Sequence, residues 1–286
     1  KVSDNSLWLT GTDLEVELIS NVTLSGEFVE GEITVPAKKL LDICRGLNEG
    51  SNIDFSVDAN KALLKSGRSK YSLSTLSAED YPNLEDWQGE LEFAIPQSDL
   101  KRLIDSTHFC MAQQDVRYYL NGMSLETEDN LIRTVATDGH RLALCRLSYT
   151  NATLPNRQVI IPRKGVLEII RLIEDNDKLV KVQVGSNHIR IFSTDFIFTS
   201  KLVDGRFPDY RRVLPKDGDK KIDSSKDVLK HAFSRASILS NEKFRGVRLA
   251  VKQNLLKITA NNPEQEEAEE LLDVSFEETE ELEISF

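Results

Sequence analysis

A chain of 286 residues, 40% hydrophobic and 29% charged, has the composition of ordinary globular protein and a length suited to about two domains. Its formal net charge of −11 argues against a surface that is basic all over, and no run approaches the 18 consecutive apolar residues of a membrane-spanning helix. Cys44, Cys110 and Cys145 are widely spaced and form no CxxC, and the four histidines form no HxxH. No metal or other cofactor is therefore expected, and the thiols read as reduced and mostly buried in a cytoplasmic protein.

Residues 6–35 read as antiparallel strands, with Leu14, Val16 and Leu18 alternating with Glu15 and Glu17 in the period-two pattern of a half-buried strand. Pro36 opens a helix over 36–48, where its missing N–H costs nothing. Leu40, Cys44 and Leu47 form its apolar stripe. Residues 53–57, 61–65 and 69–76 read as a strand meander, and the polar segment 82–90 as a linker. A helix over 98–114 follows Ser98, an N-cap residue type. A further helix over 162–173 carries Val166, Ile170 and Ile173 as its stripe, and strands follow at 180–184, 188–193 and 196–202. The last helix, 225–241, follows Ser224 or Ser225. Two helices and two groups of antiparallel strands per domain make this an α+β fold.

The order of these elements repeats. Thr137-Asp138 echoes Thr12-Asp13, 125 positions earlier, and Asn261-Asn262, 124 positions later. Val35-Pro36 and Ile161-Pro162 lie 126 apart, and Pro82 and Pro208 each follow 46 residues after them. A period of that length is a domain. The chain reads as three copies: 1–88 with its front missing, 89–216 complete, and 217–286 with its back missing. It is thus expected to be a piece of a longer three-domain protein.

Charge is distributed unevenly over this array. The helices at 36–48 (Lys38, Lys39, Arg45, Asp42), 162–173 (Arg163, Lys164, Arg171, Glu168) and 225–241 (Lys226, Lys230, Arg235, Asp227) each carry +2, and the helix at 98–114 carries none, leaving −17 for the rest. Lys38 and Arg45, like Lys164 and Arg171, are seven apart and share a helix face opposite the apolar stripe. Either a solvated face or a surface for phosphates accounts for this. A second asymmetry involves strands. Lys61, Lys65, Arg68 and Lys70 surround Tyr71 and Leu73, whereas Glu264, Glu266, Glu267, Glu269 and Glu270 precede Leu271 and Leu272. Such edges could meet head to tail between two chains, or be charged only to resist aggregation.

Asp138 and His140, at i and i+2, have the residue types of an acid–base pair. The chain nevertheless has no GxSxG, no phosphate loop and no metal cluster, and the other copies carry neither glycine nor histidine there. No catalytic residue is assigned.

Four segments carry a family resemblance: 114–122 (QDVRYYLNG), 137–142 (TDGHRL), 208–213 (PDYRRV) and 240–249 (SNEKFRGVRL). With them the whole chain resembles the bacterial DNA polymerase III sliding clamp, the β subunit. The resemblance implies a head-to-tail homodimer of three-domain chains closed into a ring, with helices lining the hole and sheets outside. Such a ring encircles double-stranded DNA without reading sequence and tethers the replicative polymerase, with no catalysis of its own. A protein-interaction scaffold that does not encircle DNA is the alternative. The implied partner-peptide pocket comprises Leu120, Thr137, Gly139, His140, Arg141, Leu142, Pro208, Arg212, Val213 and Phe244, and takes peptides from polymerase, clamp loader and repair proteins. The implied DNA-binding residues are Gln114, Arg117, Tyr118 and Tyr119, added to Lys38, Arg45, Arg163, Lys164, Arg171 and Lys230. For the two tyrosines, packing in the fold is an equal alternative. At the dimer interface the resemblance adds Ile238 and Leu239 to Lys61, Arg68, Lys70, Tyr71, Leu73, Glu266, Glu267, Glu269 and Glu270.

Overall fold

The periods of the sequence appear as repeated elements. The structure, a computed structural model, describes residues 1–82, 88–216, 218–278 and 280–285 and divides into two units, Lys1–Pro208 and Asp209–Phe286. The first copy supplies β1 (Val2–Ser3), β2 (Ser6–Thr12), β3 (Val16–Thr23), α1 (Ala37–Gly46), β4 (Asp54–Asp58), β5 (Lys61–Ser66) and β6 (Ser69–Ser74). The second supplies β7 (Leu91–Pro96), α2 (Gln97–Asp105), β8 (Gly122–Asp129), β9 (Leu131–Thr137), β10 (Leu142–Ser148), β11 (Leu154–Pro162), α3 (Arg163–Leu172), β12 (Leu179–Val184), β13 (His188–Phe192) and β14 (Phe196–Lys201). The unit Asp209–Phe286 holds α4 (Lys226–Ala236), β15 (Arg248–Lys252), β16 (Leu255–Asn261), β17 (Glu267–Asp273) and β18 (Leu282–Ser285). α1 and α3 coincide residue for residue at an offset of 126, and β2, β9 and β16 at offsets of 125 and 124.

All strand pairs are antiparallel. In the first unit β1-β2-β3-β14-β13-β12-β7 form a seven-stranded sheet that runs through both copies, joined where Val16 to Ser20 of β3 face Ser200 to Phe196 of β14. Two smaller sheets, β10-β9-β8-β11 and β4-β5-β6, complete it. The second unit has one sheet, β17-β16-β15-β18, with α4 packed on β16 and β17. The largest core lies between α2, α3 and the sheets of the second copy. Leu103, Ile104, Val166 and Ile169 meet Ile95, Ile132, Ile191 and Phe198 there. Pro36, Pro96 and Pro162 stand immediately before the first residue of α1, α2 and α3 in extended conformation, so in β7 and β11 the strand turns into its helix without a loop.

Several sequence expectations need correction. The helix expected over 98–114 ends at Asp105, because the buried Thr107 turns its hydroxyl back to the Leu103 carbonyl (2.8 Å) and a single 3-10 turn, His108–Cys110, follows. Ser98 is not its cap, and its hydroxyl donates to Asp177 Oδ1. The helix expected over 225–241 ends at Ala236 and continues as a 3-10 turn over Ser237–Leu239. Ser225 stands at its cap position without a side-chain cap bond. On α1 the stripe is Leu40 and Ile43 with Leu47 half-buried, and Cys44 is exposed. The equivalent Ile169 is buried more deeply than Ile170 on α3. Both residues satisfy helical spacing, and the angle at which the sheet meets the helix selects the i+3 position. Cys145 is half-buried, so Cys110 alone of the three thiols is buried. Residues 24–36 form isolated bridges, Val2 to Gly31 and Thr34 to Leu76, rather than a strand. Leu14 sits in a turn, 54% exposed, while Glu17, expected outside, is 5% exposed in mid-sheet between Thr12 and Thr199. Of the linker at 82–90, residues 83–87 lie outside the described residues.

The corrected helix faces make a direct contrast. Ile169→Ala should cost about 2–5 kcal/mol as a cavity in the core, and Cys44→Ala within about 0.5 kcal/mol as a surface change, both measured by urea denaturation.

Candidate functional site

The Thr-Asp pair that marks the repeat builds the same turn twice. Thr137 Oγ1 donates to the Arg141 carbonyl (2.7 Å) and accepts from the Gly139 amide (3.1 Å). Asp138 Oδ1 accepts the amides of His140 and Arg141 (both 3.0 Å), and its Oδ2 accepts Arg141 Nε (3.0 Å). In the first copy Thr12 Oγ1 donates to the Val16 carbonyl (2.8 Å) and accepts from Leu14, and Asp13 Oδ1 accepts the amides of Glu15 and Val16 (both 3.1 Å). These are hydroxyl- and carboxylate-closed turns. The residue after the aspartate is left-handed in both, Gly139 at φ 89° and Leu14 at φ 74°. Burial raises the Asp138 pKa, but the amides of Arg141 and His140 and the Arg141 guanidinium outweigh it and hold the carboxyl below its ordinary range. An acid whose oxygens are committed to its own turn is not poised as a general base, and the acid–base reading of Asp138 and His140 gains nothing from the geometry.

Segment 114–122 packs beside this turn. Gln114 takes a left-handed φ of 57°, and Asn121 closes the loop by accepting the Asp115 amide (3.0 Å) and donating to the Asp115 carbonyl (2.8 Å). Arg117 forks onto Asp115 through Nε (3.0 Å) and Nη2 (2.8 Å), and Nη2 also reaches the Asp138 carbonyl (3.3 Å). Arg117 is therefore a brace between this loop and the Thr-Asp turn. A Cβ on Gly139 would lie 3.0 Å from its Nη2. The arginine holds the Asp115 carboxyl down at about 2. Tyr118 is exposed and Tyr119 half-buried, edge to face at 5.8 Å. Leu120 is buried, whereas Thr137, Leu142 and Pro208 are half-buried and Gly139, His140 and Arg141 exposed.

The remaining pocket candidates belong to the second unit. Arg212 lies on a 3-10 turn and pairs with Asp209 (2.8 Å), with Val213 exposed beside it. Phe244 is 76% exposed, on a turn where Asn241 Oδ1 accepts the amides of Lys243 and Phe244, and Lys243 covers one ring face.

The helix cations are in different states. Lys38, Arg45 and Lys230 are exposed and make no ion pair among the described residues. Arg163 is half-buried and donates to the Met111 carbonyl (3.3 Å). Arg171 pairs with Glu168 on its own helix (2.6 Å). Lys164 pairs with both Asp13 and Glu15 of the first copy. These carboxylate partners are invisible to a helix-by-helix count of charge, because Asp13 and Glu15 lie about 150 positions away in sequence.

The seam candidates occupy two sheet edges. β6 ends the sheet β4-β5-β6 and β17 ends the sheet β17-β16-β15-β18. Lys61, Arg68 and Lys70 are exposed and Tyr71 half-buried, but Leu73 points inward, packed with Ala62 and Leu64. Its side chain belongs to the core of its own copy. On β17, Glu269 pairs with Lys257 and Glu270 forks onto Arg235 (2.6 and 2.8 Å). Glu266 takes the Asn262 amide, and Glu267 is exposed. Ile238 is exposed and Leu239 half-buried. Among the described residues no helix is long and apolar enough to cross a membrane, and no group of three His, Cys, Asp or Glu could hold a metal.

Comparison with known proteins gives one family throughout. Models of the DNA polymerase III beta subunit match in succession, the N-terminal domain over residues 1–85, the central domain over 94–209 and the C-terminal domain over 211–286. The beta sliding clamp of Salmonella typhimurium is 61% identical over 100% of this chain and 78% of that protein, and that of Escherichia coli K12 is 59% identical with the same coverage. The crystal structure of the DNA polymerase III subunit beta from Pseudomonas aeruginosa, 55% identical, superposes with a TM-score of 0.96 over 100% of this chain and 78% of that one. A Pseudomonas aeruginosa sliding clamp bound to griselimycin gives the same identity and TM-score over 77% of its length. The present chain thus spans 78% of the length of these curated relatives.

The Asp115–Arg117 brace has a pH signature. A depressed carboxyl stabilises the folded loop fully above its ordinary value of 3.8, and that contribution is lost as pH falls toward about 2. The hydrogen-exchange protection of residues 114–121, taken relative to intrinsic exchange at each pH, should fall across this window, and Asp115→Asn should abolish the dependence.

Proposed function

The chain belongs to the DNA polymerase III beta subunit family, the beta sliding clamps, and from that membership we propose the way in which it works. It is a processivity clamp that encircles duplex DNA and tethers the replicative polymerase, and its family is non-catalytic. The finer reading is a cytoplasmic homodimeric ring of clamp domains bounded at 1–88, 89–216 and 217–286, serving the clamp loader and other proteins with a clamp-binding motif as well as polymerase.

The observation that carries the DNA side of this reading is the set of uncommitted cations. Among the described residues, Lys38 and Arg45 on α1 and Lys230 on α4 are exposed and without an ion pair, on helices of a chain whose net charge is −11. Phosphates attract such residues without specifying sequence, and sparse contacts leave a ring free to move. Gln114, Arg117, Tyr118 and Tyr119 form a second DNA contact, with Arg117 acting through the loop that it braces. For partner peptides the first unit offers the turn at Thr137–Leu142 with Leu120 and Pro208, and the second unit, taken by itself, offers Arg212, Val213 and Phe244. The griselimycin-bound relative supports a ligand site on clamps of this kind.

Internal repetition also supplies a register for the seam. By strand pairing β3 corresponds to β17, since Thr12 faces Glu17 as Asn261 faces Glu267. β14 corresponds to β6, since Ile191 faces Phe198 as Leu64 faces Tyr71. The free edges β17 and β6 are thus the counterparts of the pair already joined inside the chain. Carrying the β3–β14 register across sets Glu267 opposite Ser72, Ala268 opposite Tyr71 and Glu269 opposite Lys70. The last is a pair of opposite charges where the internal join has Ile19 opposite Ile197.

Two experiments test the reading. Lys38→Glu with Lys230→Glu, which removes four cations from a two-chain ring, should lower retention on nicked circular DNA and flatten the log–log salt dependence of binding by up to about 3.6; unchanged retention rejects the inner-surface role. Light scattering should give a mass near twice the 32.3 kDa chain, falling with salt. Lys70→Glu should shift the equilibrium to monomer and adding Glu269→Lys should restore the dimer, whereas a double variant as monomeric as the single one rejects the register.

A further inference from the structure

Lys164 and Lys38 occupy equivalent places on α3 and α1, 126 residues apart, yet among the described residues only Lys164 of the two is held by carboxylates. Its ammonium lies on Asp13 Oδ2 and 3.1 Å from Glu15 Oε2. Both acids are placed by backbone. Asp13 spends Oδ1 on the amides of Glu15 and Val16, which turns Oδ2 outward to the lysine. Glu15 is anchored because its carbonyl accepts the Lys201 amide at the end of β14 (2.9 Å). The triad carries a net −1, and all three side chains are about half exposed or more. The Lys164 hydrogen bond, followed by the Val16 amide, holds the Asp13 carboxyl below its ordinary range. A cleft of about 260 Å³, lined by Thr12, Asp13, Lys164, Glu168 and Leu172 among others, lies beside the ammonium and gives it room to move.

We propose that Asp13 and Glu15 hold Lys164 off the DNA phosphates and so limit the grip of the ring on DNA where the first two copies join. The proposal rests on the reading of the α3 cationic face as DNA-facing, and adds that this lysine is withheld in the resting protein. A phosphate approaching Lys164 meets two carboxylates, and must either displace them or accept their repulsion. Ion pairs this exposed are weak and exchange readily, so the acids act as a brake and not as a lock. The brake sits on a structural join, where the turn that presents it is fixed by the β3–β14 pairing. Lys38 and Lys230 have no such brake among the described residues.

The test is the salt dependence of binding to a short fluorescent duplex by the homodimer. Asp13→Asn with Glu15→Gln removes both charges, while the amide oxygen introduced by Asp13→Asn can still accept the turn N–H groups. Freeing one cation per protomer, two per ring, should steepen the log–log slope by up to about 1.8, so that affinity falls up to about 12-fold more between 50 and 200 mM salt than in the parent. Adding Lys164→Ala should erase that gain, and Lys164→Ala alone should leave the parent slope unchanged. An unchanged slope in the double variant overturns the proposal, as does a gain that survives Lys164→Ala, since the acids would then act as generic negative charge. Lys38→Glu with Lys230→Glu serves as the control. If it weakens binding while the acid variant does not tighten it, only the brake is lost. If neither moves binding, the DNA-facing reading is lost too.

Discussion

The antiparallel pairing of β3 with β14 is the interaction from which most of the first unit follows. Two copies of one fold each offer a sheet edge, and an unpaired edge leaves backbone donors and acceptors unsatisfied. Joining Val16–Ser20 to Phe196–Ser200 satisfies both edges and makes one sheet of seven strands. The same join sends Val16 and Leu18 into the core of the second copy and closes Glu17 between Thr12 and Thr199. It also fixes the Thr12–Val16 turn beside α3, which is how carboxylates of one copy come to hold a lysine of the next.

What the sequence reveals follows from local physics. Helices α1 and α3, the strand meanders and the β2, β9 and β16 repeats all have periodic side chains, and their offsets can be counted directly. What escapes depends on long-range geometry. Helical spacing allows Cys44 as readily as Ile43, and only the sheet lying on α1 decides between them. The end of α2 is set by Thr107, a residue that by type alone could continue the helix. Arg117, beside two tyrosines, has the sequence context of a free contact, but a neighbouring aspartate claims its guanidinium. The acidic edge reads as a row of carboxylates that either meets a basic edge or resists aggregation, although Lys257 and Arg235 of its own unit already pair with part of it.

The Thr-Asp turn shows how one fragment of sequence can be both scaffold and site. Its hydroxyl and the Oδ1 of its carboxylate make the same bonds in two copies, so those bonds report the fold, while Oδ2 turns to Arg141 in one copy and to Lys164 in the other. The residues that follow the aspartate differ. The second copy has Gly139, whose left-handed φ suits glycine, where the first accepts Leu14 in the same strained region. Removing that side chain opens the loop surface at 138–141 and lets Arg117 lie against it. Individuality arises at the tip, while the base of the turn stays constant.

The internal join and the proposed seam use equivalent strands, but only one of them has its partners on the same chain. A tether holds β3 and β14 together at an effective concentration that short linkers place in the millimolar range. Two separate chains have no such help and meet at whatever concentration the cell supplies, with each tenfold dilution weakening the assembled state by about 1.4 kcal/mol. Of two joins with similar hydrogen bonding, the one between chains therefore yields first. A closed ring made this way has a built-in place to part, set by where the polypeptide is continuous.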